Sequence, residues 1–341
     1  MKAFVLDRLF DLTKEDICLR RVELPVPSLA ENEILVRIKA CGVCHTELDE
    51  ISGRTPPLFF PVVLGHQAVG EVVEIKSETP AFRKGERVGI AWIYSACRQC
   101  KLCRAGFENL CPDFKATGRD VNGGYAEYMA INQDYAYSIP EAFSDIEAAP
   151  LLCAGAIGYR SLLLADILDG DALGLTGFGA SAHIVLKLVK ATMPDTKVAT
   201  FARNAEEREF ALKLGADWAG DTTDTSPFGL NAVIDTTPAW KPVLEACRNL
   251  TPGGRLVINA IRKEPADKSE LMNLSYENHL WMEKEIKSVA NITSGDVRDF
   301  LQLAAKYGIV PETETYPFED ANKALNDLKN KRIRGGKVLV F

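Results

Sequence analysis

The chain has 341 residues, 47% of them hydrophobic and 26% charged, with no low-complexity tract. That length exceeds what one ordinary hydrophobic core organises, so two domains are expected. The net charge of −7, with no long basic run, argues against a nucleic-acid or anionic-membrane partner.

The first stretch, MKAFVLDRLFDLTKED, carries charges from Lys2 onward and lacks the long apolar segment of a secretory signal. No run of about 18 uncharged apolar residues predicts a membrane span, and a cytoplasmic location is expected. Nine cysteines in such a chain point to thiols and metal, not to disulfides.

Residues 41–48, CGVCHTEL, fit three chemistries. Cys41 to His45 has the spacing of covalent haem attachment. Cys41 and Cys44 alone have the spacing of thiol–disulfide exchange. One cysteine here could also be a ligand of a catalytic zinc. The missing export signal weighs against haem; the eight residues decide nothing further.

Next comes CRQCKLCRAGFENLC, with Cys97, Cys100, Cys103 and Cys111 separated by two, two and seven residues. The short gaps let successive thiolates turn toward one ion, and the long gap lets the chain close a tetrahedron. A four-thiolate shell leaves zinc no open position, which makes the site structural. Iron–sulfur spacings differ from this one. Arg98, Lys101 and Arg104 lie between the ligands and are expected to offset the thiolate charge.

The segment LGLTGFGASAHIVLKLVK predicts a strand, a glycine-rich turn and a helix. Gly177, Gly179 and Ala182 form a G-x-G-x-x-A fingerprint, with Ala180 and Ser181 completing the turn. Here the backbone can approach a pyrophosphate and the helix can pack closely on the sheet. His183 is expected to pack or cap. Further β/α alternation (KVATFA, NAVIDTT, RLVINA and the helices between them) predicts a doubly wound parallel sheet. An acid at the end of the second strand would bind the ribose of NAD(H). Instead Ala202, Arg203 and Asn204 follow that strand, and Arg203 suits a 2′-phosphate. NADP(H) is therefore the expected cofactor, with NAD(H) as the alternative.

In this order, CGVCHTEL, LGHQAVG, the four-cysteine lobe, LLCAGAIGYRSL and the glycine turn resemble the zinc-dependent medium-chain alcohol dehydrogenases over essentially the whole chain. The resemblance implies a GroES-like β-barrel catalytic domain at 1–152 and 294–341, interrupted by a Rossmann domain at 153–293. It implies two Zn2+ per chain, one in the lobe and one catalytic, the latter on Cys44, His66 and Cys153. Two thiolates and an imidazole would leave a fourth position for an alcohol or aldehyde. It also implies that Thr46 takes the alcohol proton, that His45 meets the cofactor pyrophosphate, and that Trp92 walls the substrate pocket. Cys18, Cys41 and Cys247 are left as packing residues.

Three positions depart from the family pattern. Gln67 stands where Glu is common after the metal-binding His. Glu47 replaces Asp and can still orient that His. Asp49 replaces a His, so it ends a proton relay in water or is an ordinary solvated carboxylate. The resemblance further implies a homo-oligomer joined through the edge of the Rossmann sheet, at or near GGRLVINA. The expected activity is hydride transfer between a small primary or secondary alcohol and the nicotinamide cofactor. Alternatives are a quinone or enone reductase of the same fold without catalytic zinc, and a non-enzymatic zinc or redox sensor.

Overall fold

A computed structural model describes residues 1–330 and 335–341. The chain forms two compact units, one of Met1–Ala156, Ile292–Ala305 and Val310–Phe341, the other of Ile157–Asn291 and Lys306–Ile309. The sequence reading divides the chain after residue 152, whereas the first unit runs on to Ala156. Packing explains the difference: Gly155 lies so close to Phe300 that an added Cβ would come within 2.2 Å of its ring. Cys44, His66 and Cys153 consequently belong to the same unit.

The first unit is built on the long strand Glu33–Val43, buried along most of its length. It pairs antiparallel with Ala68–Lys76, Tyr128–Asn132 and Gly336–Val340. Arg87–Ile90 and Ala136–Ser138 extend one side of the sheet, and Thr313–Pro317 the other. Register shifts at Leu35/Val36 and Ile38/Ala40 bend the central strand, as bulges do in barrels. This is a GroES-like domain.

The second unit holds a Rossmann sheet whose strands are β1 (Ala172–Thr176), β2 (Lys197–Phe201), β3 (Trp218–Gly220), β4 (Leu230–Asp235), β5 (Leu250–Ile258) and β6 (Glu285–Ser288). All pairs are parallel, in the order β3-β2-β1-β4-β5-β6. β1 is buried throughout, as expected of a parallel strand covered on both faces. The segment GGRLVINA falls mostly on β5, one strand in from the edge, which β6 supplies. Cys247 packs in the core of this sheet, but Cys18 is exposed and is not a packing residue.

Among the described residues, one helical run, Asp145–Ala165, is long and apolar enough to cross a membrane. Most of it is buried within the protein, as in a core helix.

Candidate functional site

The short helix α1 (His45–Ile51) begins directly after Cys44, which is its N-cap. The Cys44 sulfur accepts the Thr46 N–H at 3.4 Å, and Glu47 Oε2 accepts the Cys44 N–H at 2.8 Å. This reciprocal capping box fixes the sulfur where the strand ends and the helix begins. Glu47 turns its other oxygen, Oε1, to within 2.6 Å of His66 Nδ1, though off the ideal hydrogen-bond line. A carboxylate on Nδ1 favours the tautomer whose Nε2 carries a free lone pair.

That nitrogen faces two sulfurs, with His66 Nε2 3.6 Å from Cys44 Sγ and 3.2 Å from Cys153 Sγ. All three donor atoms lie within 4.8 Å of one another. A tetrahedral ion with bonds of about 2.0–2.3 Å needs its ligands roughly 3.3–3.8 Å apart, so the trio suits zinc. Cys153 sits on a π-helical turn, Leu151–Gly155, directly after Pro150. Such turns re-aim a side chain out of the regular helical spacing and recur at functional sites. The Cys44 thiol is pushed well above its usual range, first by its contact with Cys153 and then by burial. A divalent cation at the centre would reverse that balance, as metal binding to thiols requires.

In the cysteine lobe the four sulfurs also lie within 4.8 Å of one another, with Cys97–Cys103 at 3.9 Å and Cys100–Cys111 at 4.0 Å. Backbone N–H groups point at these sulfurs, among them Cys97 to Cys111 at 3.4 Å, Cys100 to Cys97 at 3.3 Å and Cys103 to Cys100 at 3.5 Å. N–H groups of Gln99 and Cys100 bring the Cys97 thiol down to about 7. The expected charge balance by Arg98 is corrected: its guanidinium bonds Asp134 at 2.5 Å and lies over the Tyr135 ring. Backbone dipoles take up part of that role.

In the second unit, α2 (Ala180–Thr192) starts at the predicted turn. Gly177 has φ 77°, and a Cβ there would strike Thr236 and Thr237 at 2.9 Å. An added Cβ at Gly179 meets nothing within 4 Å, so the space over the helix start is open. Ala180 and Ser181 form the first turn of α2, and Ala182 is buried against the sheet. His183 is buried, with Nδ1 3.2 Å from the Gly179 carbonyl, in keeping with a packing role. Arg203 is exposed just after β2, where Asn204 caps the helix α3 (Ala205–Lys213). Glu206, the first acid after β2, is drawn into the opening turn of α3.

Trp92 is nearly buried, tilted against Phe114 with ring centroids 5.4 Å apart and covered by Arg119 at 5.0 Å. His45 is exposed and Thr46 half-buried. Asp49 departs from the expected solvated carboxylate. It is buried, and Arg54 holds its Oδ1 at 2.7 Å through Nε and 2.6 Å through Nη2. Sequence reasoning also passed over Glu50, a fully buried acid on the same helix. Its only signal is its place one turn after Glu47.

Residues 30–141 match the model of the alcohol dehydrogenase GroES-like domain, and 213–340 that of the zinc-binding dehydrogenases. A probable alcohol dehydrogenase AdhA of Mycobacterium tuberculosis is 43% identical over 95% of this chain and 93% of its own. This chain belongs to the medium-chain zinc alcohol dehydrogenase family. An alcohol dehydrogenase of Geobacillus stearothermophilus is 33% identical over 93% of this chain and 94% of its own. Among solved structures, the alcohol dehydrogenase of the archaeon Aeropyrum pernix superposes with TM-score 0.86 at 25% identity, covering all of both chains. The protein CAD of Helicobacter pylori, solved in complex with NADP(H), superposes with TM-score 0.86 at 21% identity, over 99% of this chain and 97% of its own. The latter likeness concerns the fold.

Proposed function

We propose that this family member is a zinc-dependent, NADP(H)-preferring dehydrogenase that interconverts small alcohols with aldehydes or ketones. The observation that carries the reading is the Cys44–His66–Cys153 trio, three metal donors within 4.8 Å with Glu47 behind the imidazole. When bound, zinc supplies Lewis acidity at the alcohol oxygen and the nicotinamide supplies or accepts hydride.

The chain's own residues do the rest. Cys44, Cys153 and His66 hold the metal and leave one position open to substrate. Thr46, whose N–H is tied to the Cys44 sulfur, takes the alcohol proton on its hydroxyl. Trp92 excludes water from one side of the substrate. Gly177, Gly179 and the first turn of α2 bind the pyrophosphate with backbone N–H groups, and His45 adds a contact to it. Arg203 meets the 2′-phosphate of NADP(H), since no acid directly follows β2 to favour NAD(H). The four lobe cysteines hold a second, structural zinc. We place the protein in the cytoplasm as a homo-oligomer without nucleic-acid or membrane partners.

The test combines metal analysis with kinetics. Two zincs per chain, alcohol oxidation, and higher kcat/KM with NADPH than with NADH in aldehyde reduction are expected. One zinc per chain, with quinone or enone reduction only, would overturn the reading. A preference for NADH would overturn the role of Arg203 alone.

A further inference from the structure

Glu50 follows Glu47 by one helical turn, so two carboxyl groups stand in line on the buried side of α1. Glu50 is 0% exposed, and neither of its oxygens has a hydrogen-bond partner among the described residues. Burying an unsatisfied carboxyl costs free energy that an apolar side chain of similar size would not. Natural chains keep such groups where they serve a function.

Its surroundings narrow that function. The indole N–H of Trp92 is near enough to act on the carboxyl, yet the two make no hydrogen bond of ordinary geometry, and Nε1 is itself buried without a partner. Arg119 lies over the same indole and is anchored to Asp120 at 2.6 Å. Both Arg119 and His66, the middle member of the metal trio, act on the Glu50 carboxyl electrostatically. Burial first, then the nearby Glu47 carboxylate, holds Glu50 well above the usual carboxyl range. A buried indole N–H and a buried carboxyl thus stand side by side near the trio, with hydrogen bonds unmade.

We propose that Glu50 and Trp92 bind a second hydroxyl of the substrate, on a carbon close to the reacting one, so that this enzyme selects diols and hydroxyaldehydes over hydrocarbon alcohols of equal length. The proposal rests on the dehydrogenase reading above. A hydroxyl satisfies both groups at once, accepting from the indole N–H and bonding the carboxyl. A hydrocarbon chain satisfies neither and leaves both buried and unpaired. A site built around a hydroxyl discriminates against the analogue lacking it far better than an apolar pocket discriminates by size.

The experiment compares reduction of 2-hydroxypropanal and propanal by the zinc-loaded full chain, with melting curves of the same proteins. The wild type is expected to favour the hydroxyaldehyde in kcat/KM. Glu50→Met should cut that ratio by about ten- to a hundredfold, the worth of one or two buried hydrogen bonds. It should also raise the melting temperature, because the unpaired carboxyl is gone; a structural role predicts a fall. Glu50→Gln, which keeps shape and hydrogen-bonding capacity, should retain much of the ratio. The proposal is overturned if the wild type shows no preference, or if Glu50→Met leaves the ratio unchanged or melts lower. A wild type that turns over no alcohol or aldehyde at all overturns the dehydrogenase reading, and this proposal with it.

Discussion

Asp49 and Glu47 lie two residues apart on α1, and their surroundings give them opposite tasks. Glu47 bridges the Cys44 N–H and His66, so it orients two members of the proposed metal trio. Asp49 is locked to Arg54 through Oδ1, which ties it to the loop after α1 and gives it a structural partner of its own. Asp49→Asn is therefore expected to leave the pH profile of hydride transfer where it is in the wild type, read by stopped-flow kinetics. It should lower stability by about 1 kcal/mol, a modest loss because the Arg54 side chain is 35% exposed and screened. A displaced pH profile would return Asp49 to the relay. The sequence marks Glu47, because its place after Cys44 is tied to helix geometry. It does not mark the partner of Asp49, because Arg54 lies beyond the helix in a loop whose path has no period. Glu50 is hidden for a related reason: an acid on a short helix reads as solvated until the packing around it is known.

At the scale of elements, the motifs were legible wherever spacing alone constrains geometry. The glycine fingerprint becomes a strand, a turn with positive φ at Gly177 and a helix, because only such a turn lets β1 run into α2. The four-cysteine lobe closes because its short gaps form local turns that aim N–H groups at sulfur, and the Cys97 N–H reaches the Cys111 sulfur across the long gap. The π turn under Cys153 was not legible, since a single turn of five residues after Pro150 leaves no periodic mark in the sequence. The lobe and the trio are separate sets of residues, so the two metals should be separable. Cys111→Ser should bring the chain from two zincs to one and lower its melting temperature, since a structural zinc site contributes folding energy. The remaining zinc should exchange as the catalytic one does. Metal analysis by mass spectrometry, with calorimetry, checks this. Loss of both metals would mean that the two sites are not independent.

At the scale of the whole molecule, two domains follow from length, and the return of the chain to its first unit follows from the family resemblance. The division itself shifts by a few residues, because contacts such as Gly155 with Phe300 decide it, not composition. The edge of the Rossmann sheet raises a separate question. β6 pairs with β5 alone among the described strands, and all four of its residues are exposed. Nearby in the chain, Met272 is 88% exposed, and Trp281 and Met282 are also open to solvent. An unprotected edge beside large apolar side chains invites a partner strand, and a second copy of the same edge supplies one with matching hydrogen-bond spacing. Light scattering should accordingly give a mass that is a multiple of the 37.5 kDa chain. Ile286→Lys places a charge in the middle of β6, where antiparallel or parallel pairing with a copy would bury it. That variant should shift the mass toward the monomer while the melting of the isolated chain changes little, since Ile286 is 44% exposed. A monomeric wild type, or a variant of unchanged mass, would move the association surface away from this edge.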